Sequence, residues 1–341
     1  MEFRAYQSKM GINMKSLRLI LLLVFVALAG SPQLLAQQGA IPVIGVLSTS
    51  SPAARSGELF ASFNLGLRDG GFVENENVKL EYRWASDDYA KLPGFAQEFV
   101  QRRVAVIVAA GGHVSALAAR DATKQIPIVF TTVTDPVKEG LVASLNRPGG
   151  NATGTAGLTS ELDPKRLEIL RELKPAATVV GVLVNPNRPG LQMQIAELQE
   201  AAGRLGIKLE INRAANEREI DAAFASFAEQ KVHGIIVTAD PLFNNRRSQV
   251  VALAAGTRIP VIYQWRQFVS VGGLISYGPS ITEAYRHAGA NAALILKGAK
   301  PADIPVVQPS RFEMSINRWT ARELGLTIPP TLLSRADEVV E

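Results

Sequence analysis

Three apolar, β-branched stretches in the first half of the chain recur in the second half in the same order. The pairs are Val43–Leu47 with Val179–Leu183, Val104–Ala110 with Val232–Ala239, and Ile126–Phe130 with Ile259–Tyr263. The first pair is offset by 136 residues and the third by 133. Stretches of this length and composition are typical of buried strands, and their recurrence indicates two copies of one unit. The sequence therefore predicts two similar α/β lobes, and a cleft between lobes is a common place for a ligand.

Helical periodicity fills the intervals between the strand-like stretches in both copies. The predicted strands lie at 43–48, 78–84, 104–110, 127–133, 178–185, 208–213, 234–239 and 260–263. The predicted helices lie at 53–69, 89–102, 114–124, 190–205, 217–230 and 244–257. Strands that alternate with helices form parallel sheets with helices on both faces. We therefore predict a chain of the α/β class with two doubly wound, parallel-sheet lobes.

Segments rich in Gly and Pro mark candidate crossings between the lobes. They are 145–157, which we interpret as a linker, 272–278 and 303–309. Beyond the repeat, the pattern predicts a helix at 281–297, a strand at 312–317 and a short helix at 320–324. The resulting lobes are 41–157 with 279–305, and 158–276 with 310–341. Three crossings between two doubly wound lobes predict a hinge that bends without unfolding either lobe.

The first 36 residues have the layout of a secretory signal peptide. Four basic side chains precede an apolar run at 19–29, Gly-Ser-Pro breaks the run at 30–32, and Ala36 offers a small residue for cleavage. An uncleaved membrane anchor is the alternative, although the run is short for a membrane span. Residues 1–36 hold four basic and one acidic side chain, so without them the net charge falls from +5 to +2. A charge of this size predicts no basic surface for nucleic acid.

The chain lacks the residue sets that catalysis and metal binding require. It has no cysteine, which excludes disulfides, a thiol nucleophile and a lipid-modified cysteine after the signal. Its histidines, His113, His233 and His287, lie far apart in sequence with no carboxylate at metal-ligand spacing, and there is no Gly-x-Ser-x-Gly motif. We therefore predict a protein that is not an enzyme and has neither a cofactor nor a metal site.

Polar and aromatic residues follow the predicted strands, at the edge where parallel sheets bind ligands. The candidates are Ser48, Thr49, Gly111, Gly112, His113, Thr132, Asp135, Asn185, Asp240, Tyr263, Trp265 and Tyr277. The Gly111-Gly112 pair opens a predicted helix whose backbone N–H groups suit a carboxylate or phosphate, or it serves only the turn. Asp240 suits a ligand ammonium, or its Asp-Pro pair simply begins a helix. The aromatic side chains suit stacking on a flat ligand, or they belong to the core or rim.

Short segments spread along the chain carry a further signal. They are Pro42–Leu47, Glu81–Ala85, Asp135–Val137, Gly140–Asn151, Lys165–Leu170, Leu183–Asn187, Ala239–Phe243, Ser276–Gly278, Leu296–Gly298 and Lys300–Asp303. Taken in order, they make the chain similar to the ABC transporter substrate-binding proteins typified by tryptophan and tyrosine binders. That resemblance implies the type I periplasmic binding fold.

The resemblance also implies a receptor that captures a small molecule between its lobes by hinge closure and delivers it to an ABC permease in the inner membrane. Hydroxyl and backbone donors would hold the ligand carboxylate, and acidic or polar groups its ammonium. The matching regions here are those around Gly112, Thr132, Thr159-Ser160 and Asp240. Phe243, in the segment Ala239–Phe243, is a further candidate ligand-binding residue.

We therefore expect a monomeric periplasmic receptor for an amino acid or a related acid. It would bind no nucleic acid and would not stay inserted in the membrane once the signal is removed. A sensory receptor that feeds a membrane signalling protein is the alternative, and a periplasmic enzyme is a third interpretation for which the sequence offers no nucleophile and base.

Overall fold

The computed structural model describes residues 41–309 and 311–341, and the predicted signal peptide at 1–36 lies outside them. The strands are β1 (Val43–Ser48), β2 (Lys79–Trp84), β3 (Val106–Ala110), β4 (Ile128–Thr132), β5 (Ala152–Ala156), β6 (Val179–Val184), β7 (Lys208–Arg213), β8 (Ile235–Val237), β9 (Val261–Tyr263), β10 (Ile275–Gly278), β11 (Glu313–Asn317) and β12 (Glu338–Val340). The α-helices are α1 (Glu58–Asp69), α2 (Leu92–Gln101), α3 (His113–Ala122), α4 (Asp163–Leu173), α5 (Leu191–Leu205), α6 (Glu217–Glu229), α7 (Pro241–Asn245), α8 (Arg247–Thr257), α9 (Arg266–Val269), α10 (Ile281–Leu296), α11 (Arg318–Glu323) and α12 (Pro330–Leu333). Short 3-10 helices occupy Pro52–Ser56, Tyr89–Lys91, Thr159–Leu162 and Pro301–Asp303.

The strands form two sheets, one for each lobe. The first lobe has a parallel five-stranded sheet in the order β2-β1-β3-β4-β5. The second lobe has a seven-stranded sheet in the order β12-β11-β10-β9-β8-β6-β7. Within it, β7-β6-β8-β9-β10 repeats the order of the first sheet, so the predicted duplication is confirmed. The second sheet departs from the predicted all-parallel pattern at its far edge, because β11 runs antiparallel to β10.

Helices cover both faces of each sheet. In the first lobe, α1 and α10 bury one face with Phe60, Phe63 and Tyr285, and α2 and α3 bury the other with Phe99 and Ala116. The second sheet has two core clusters in the same way, one around α4 and α5 and one around α6 and α8. Burial on both faces explains why the strands read as continuous apolar runs rather than as alternating patterns.

The repeated strand has a glycine at its third position in both lobes, and the same packing explains both. A Cβ on Gly45 would lie 2.7 Å from the ring of Phe99 on α2. A Cβ on Gly181 would lie 2.7 Å from the ring of Phe227 on α6. In each lobe one phenylalanine ring therefore packs directly on the glycine of this strand, where any larger residue would clash.

Two predicted crossings contain strands. The linker interpretation of 145–157 is wrong for its second half, because Ala152–Ala156 is the buried strand β5, paired with β4 along its whole length. Its Ala-Thr-Gly-Thr-Ala sequence has no apolar periodicity, and Gly154 is required because a Cβ there would lie 2.0 Å from the Phe130 carbonyl oxygen. Likewise, β10 occupies Ile275–Gly278 of the second predicted crossing.

The chain passes between the two sheets three times: after β5, after β10 and before β11. The predicted three-segment hinge is therefore confirmed, with its first two segments shifted towards the C-terminus. After the second passage, α10 returns to the first lobe and packs on α1. The finer lobe bounds given above stay a prediction. In the described part of the chain, we find no helix that combines the length and apolar character of a membrane span.

Candidate functional site

A cavity of about 240 Å³ lies between the lobes, at the carboxyl ends of the strands of the first sheet. Thr49 and Gly112 of the first lobe line one side, and Asn244 and Trp265 of the second lobe line another. Because parallel strands end at a common edge, the loops after β1, β3 and β4 converge there. The fold thus brings residues from distant parts of the sequence to one enclosed space.

Glycine shapes the first-lobe wall. A Cβ on Gly111 would lie 2.7 Å from the backbone N of Thr49, so the loops after β1 and β3 meet only because this residue has no side chain. Gly112 has φ of 75°, a left-handed conformation that favours glycine, and caps the N-terminus of α3. The first-turn N–H groups of α3 therefore begin at the cavity wall, at the positive end of the helix dipole.

The second-lobe wall comes from the short helix α7 and the residue that begins α9. Asp240 and Pro241 start α7, which carries Asn244 and Asn245 into the cavity lining. Trp265 is the N-cap residue of α9 and is almost fully buried, with its side chain on the lining. This wall therefore combines amide groups with one large aromatic surface.

The surroundings of Asp240 favour the interpretation that its Asp-Pro pair begins a helix. Its Oδ1 accepts hydrogen bonds from the backbone N of Leu242 at 2.9 Å, the side chain of Asn185 at 2.9 Å and the hydroxyl of Tyr89 at 3.0 Å. Its Oδ2 is buried and has no partner among the described residues. Burial raises the pKa of Asp240, and the three donors oppose that rise. The carboxylate lies outside the cavity lining.

Hydrogen bonds across the rim of the cavity join the two lobes. Asp87 accepts from Asn245 Nδ2 at 2.6 Å and from Arg246 Nε at 3.1 Å, and the Ser50 hydroxyl donates to Asn245 Oδ1 at 2.8 Å. We call these three contacts, with the Tyr89–Asp240 contact, the rim contacts. Burial raises the pKa of the Tyr89 hydroxyl, and the Asp240 charge adds to it, so this group remains a donor.

The loop that carries Asp87 is strained. Ser86 has φ of 51° and Asp87 has φ of 67°, so two consecutive residues with side chains adopt the left-handed conformation. Such a residue costs roughly 1–3 kcal/mol, and persists where its surroundings hold it. The rim contacts of Asp87 supply that restraint.

A second cavity, of about 230 Å³, lies further along the gap between the lobes. Its lining includes Asp135, Ser160, Glu139 and Arg188. Arg188 is 5% exposed, and burial lowers the pKa of its guanidinium while Asp163 and Asp240 oppose the change. Burial also lowers the pKa of His113 to about 3, and the Arg188 charge adds to that effect. His113 is therefore uncharged in the folded protein at neutral pH, and it lies outside the linings of both cavities.

The structure divides the predicted ligand-binding residues into three groups. Those that line the first cavity are Thr49, Gly111, Gly112, Thr132, Thr159 and Trp265. Those that line the second cavity are Asp135 and Ser160. Those outside both linings are Ser48, His113, Asn185, Asp240, Phe243, Tyr263 and Tyr277.

Ordinary structural roles account for the third group. Phe243 and Tyr263 belong to a hydrophobic core, where Tyr263 stacks on Phe268 with ring centroids 4.7 Å apart. Tyr277 packs beside Phe312 with ring centroids 6.2 Å apart. Ser48 accepts from the backbone N of Ser50, and Asn185 donates to the Asp240 carboxylate. Of the aromatic wall predicted from sequence, Trp265 alone among these candidates lies on the cavity.

Several lining residues escaped the sequence analysis. Thr155 lies in β5, which we interpreted as linker, and Tyr285 lies on α10, which returns to the first lobe from the second. Asn244 and Asn245 lie one helical turn beyond Asp240, so position directly after a strand does not predict them. A rule that continued one helical turn past each strand would have found the asparagines. Within residues 41–309 and 311–341, no group of three or more His, Asp or Glu side chains is placed to hold a metal ion.

Two doubly wound lobes that enclose a cavity at their strand ends define the class of type I periplasmic binding proteins, whose fold this chain has. Within that class, the chain belongs to the ABC transporter substrate binding protein family, whose profile matches residues 44–340. A tyrosine-binding protein from Clostridioides difficile strain R20291 is 32% identical over 264 residues, which are 77% of this chain and 75% of the relative.

Two solved structures differ in how closely they match. The ABC domain from Streptococcus pneumoniae in complex with L-Trp is 27% identical, with a TM-score of 0.76 over 88% of this chain and 100% of that chain. The ligand-free, open structure of a substrate binding protein with adhesive properties from Clostridium difficile is 28% identical, with a TM-score of 0.61 over 88% and 99%. At nearly equal identity, the chain superposes better on the L-Trp complex. In this structure the rim contacts hold the two lobes against each other across the cavity.

Proposed function

We propose that this protein is the periplasmic receptor of an ABC importer and captures an aromatic amino acid, tryptophan or tyrosine, in the first cavity. The two lobes close around the ligand, and the closed form presents it to a membrane permease. The observation that carries the proposal is the cavity itself, because both lobes contribute to its wall and the rim contacts close over it.

The size and lining of the cavity support a small, partly aromatic ligand. Its volume of about 240 Å³ is below the roughly 300–1,000 Å³ of sites for drug-sized molecules. Trp265 and Tyr285 supply aromatic surface, on which a second ring stacks favourably, and threonine and asparagine side chains supply polar groups. The tyrosine-binding relative and the L-Trp complex have ligands of this chemistry.

Thermal unfolding with a panel of amino acids and aromatic acids tests the proposal. A ligand at about 100 times its Kd stabilises the folded form by about 2.7 kcal/mol, which corresponds to a rise in Tm of several degrees for a chain of this size. We expect that rise with L-Trp or L-Tyr and none with L-Ala or L-Glu. The proposal fails if neither aromatic amino acid raises Tm and mass spectrometry finds a different class of molecule co-purified with the protein.

A further inference from the structure

The side chain of Arg166, on α4 of the second lobe, contacts two of the three passages between the lobes. It is fully buried, and its Nη1 donates to the Thr159 carbonyl at 3.0 Å while its Nε donates to the Tyr277 carbonyl at 2.9 Å. Thr159 follows the first passage, which leaves β5, and Tyr277 precedes the second passage at the end of β10. Buried carbonyl groups need donors, and one side chain supplies both of these.

A buried carboxylate on the same helix balances the charge of this side chain. Arg166 Nη1 also donates to Asp163 Oδ1, and Gln194 Nε2 donates to Asp163 Oδ2. Both charged side chains are 0% exposed, so the ion pair lies in the interior. A lysine would satisfy this pair with its single nitrogen, whereas a guanidinium carries several donors in a rigid fork. The arginine therefore has donors left for the two passages.

The start of the second passage packs tightly on the second lobe. A Cβ on Gly278 would lie 2.1 Å from the Gln264 carbonyl oxygen and 3.3 Å from Arg166 Nη2. Gly278 also pairs with Glu313 of β11. The second passage is therefore fixed to the second lobe as far as Gly278, and the first passage is fixed to it from Thr159 onward.

Hydrogen bonds fix the opposite ends of both passages to the first lobe. In the first passage, the backbone N of Gly157 donates to the Thr132 carbonyl at 2.7 Å, at the end of β4. In the second passage, Ser280 caps α10, because its side chain accepts from a backbone N of the first helical turn at 3.3 Å. One residue remains between the fixed ends of each passage: Leu158 in the first and Pro279 in the second.

Leu158 has a backbone conformation that is rare for a residue with a side chain. Its φ is 46° and its ψ is 29°, in the left-handed region. A residue with a Cβ is disfavoured there, and such a conformation persists where the neighbouring structure holds it. Close by, the Ser160 hydroxyl donates to the Val133 carbonyl of the first lobe at 3.2 Å. Leu158 is therefore held on both sides in the arrangement of the lobes seen here.

On the basis of the lobe closure proposed above, we infer that Arg166 is the positioning residue of the hinge. It fixes the first and second passages to the second lobe, so the lobes rotate by torsion changes at Leu158 and Pro279. The proline ring fixes φ of Pro279, which leaves its ψ as the free torsion. Leu158 leaves the left-handed region when the lobes separate. Arg166 thereby confines the movement to these two residues and keeps Thr159, which lines the first cavity, in place.

Distances between the lobes of the free protein test the role of Arg166. The chain has no cysteine, so cysteines introduced at the exposed positions Arg68 of α1 and Arg218 of α6 place one spin label on each lobe. Pulsed electron spin resonance then gives the distribution of distances between the two labels. The width of this distribution reports how freely one lobe moves against the other.

Arg166→Lys and Arg171→Lys form a matched pair on α4. Arg171 also donates to a backbone carbonyl, that of Ala177, but this carbonyl lies within the second lobe. We expect Arg166→Lys to broaden the distance distribution about twofold, because one ammonium cannot hold both passages. Arg171→Lys should leave the distribution as it is in the wild type. Equal widths in Arg166→Lys and the wild type would overturn the inference.

Substitutions at Leu158 test the hinge without changing Arg166. Leu158→Gly removes the cost of the left-handed conformation, whereas Leu158→Ala keeps that cost and likewise removes the side chain beyond Cβ. We expect Leu158→Gly to populate the label distance of the arrangement seen here about fivefold more than Leu158→Ala does, relative to other distances. Identical distributions for the two variants would show that Leu158 keeps its conformation as the lobes move, contrary to the inference.

The two proposals fail separately. The label distances are measured without ligand, so they decide the inference whether or not an aromatic amino acid binds. A wild type that binds neither L-Trp nor L-Tyr overturns the proposed function alone. A wild type that binds L-Trp, beside an Arg166→Lys variant with unchanged distance width and unchanged ligand release rate, overturns the inference alone. Circular dichroism shows whether each variant is folded, and the Leu158 pair decides the inference if Arg166→Lys is not.

Discussion

At the residue scale, His113 is a titratable group that is fully buried and lies outside both cavity linings. Both of its ring nitrogens are buried and, among the described residues, neither has a hydrogen-bond partner. Burial holds the pKa of His113 at about 3, against the ordinary 6.5, and the nearby Arg188 charge acts in the same direction. The folded protein therefore keeps this side chain neutral at pH values where the unfolded chain protonates it.

This difference predicts a loss of stability in mild acid. Between about pH 6.5 and pH 3 the unfolded state binds a proton at His113 that the folded state does not, so the free energy of unfolding falls as the pH falls. The contribution reaches at most about 1.4 kcal/mol for each pH unit, or roughly 2 kcal/mol at pH 5 relative to neutral pH. Above the unfolded pKa the group has no effect.

The measurement is urea unfolding of the wild type and His113→Leu across this pH range. Leucine removes both the proton site and the two unpartnered nitrogens. We expect the variant to gain stability relative to the wild type as the pH falls below about 6.5. Parallel pH profiles would show that His113 is protonated equally in the folded and unfolded states.

At the scale of the elements, the contact between α1 and α10 closes the first lobe. A Cβ on Gly66 would lie 2.0 Å from the Arg286 carbonyl oxygen, and one on Gly289 would lie 2.1 Å from the Phe63 carbonyl oxygen. The two helix backbones therefore touch, and each glycine sits where the other helix crosses it. The packing of α10 on α1 therefore requires glycine at both positions.

Alanine at either position should separate the helices. Gly289→Ala forces the backbones apart and should lower the free energy of unfolding by roughly 3 kcal/mol, since overpacking commonly costs 1–3 kcal/mol or more. Gly203→Ala on α5 is the matched control, because nothing lies within 4 Å of its Cβ position. There the higher helix propensity of alanine should raise stability by roughly 0.5–1 kcal/mol. Equal effects of the two substitutions in urea unfolding would contradict the close crossing.

The elements also show where sequence reasoning succeeds. The runs at Val43–Leu47 and Val179–Leu183 are buried on both faces, so their composition alone predicts parallel strands and their recurrence predicts the shared strand order. In β5 the buried residues are small and hydroxylic, and the strand is recognised only through its pairing with β4. An apolar composition identifies strands that pack against large side chains. It does not identify β5, which packs where two backbones approach closely.

The same limit applies to the candidate site. Strand-end geometry follows from the backbone, so Thr49, Gly111 and Gly112 were predictable as lining residues. Asn244 and Thr155 reach the cavity through a helix and a strand whose positions depend on long-range packing. Asp240 had two defensible interpretations, and its neighbours in space, Tyr89 and Asn185, decide between them.

At the scale of the whole molecule, the rim contacts join the two lobes. If the lobes close around a ligand as proposed, these contacts favour the closed form. The Tyr89 hydroxyl reaches across the gap to Asp240 at 3.0 Å and accepts from the backbone N of Leu242 at 3.1 Å. A ligand shifts the equilibrium only by its differential affinity for the two forms, so contacts that favour closure raise its apparent affinity.

Removing that hydroxyl should open the protein without damaging either lobe. We expect Tyr89→Phe to weaken ligand binding about three- to tenfold, the equivalent of one net hydrogen bond of about 1 kcal/mol, and to speed ligand release. Small-angle scattering of the free variant should give a larger radius of gyration than the wild type, and stopped-flow fluorescence should report the release rate. Unchanged scattering and release would mean that the rim contacts follow closure rather than favour it.

The three passages between the lobes have a consequence for how the chain folds during synthesis. The helix α10 completes the core of the first lobe, yet the chain supplies it only after β6–β10 of the second sheet. A chain made from its N-terminus therefore holds β1–β5 with one face covered by α1 alone until most of its length has emerged. This interleaved order delays completion of the first-lobe core. Until α10 has packed, the chain remains accessible to chaperones and to any machinery that handles unfolded polypeptides.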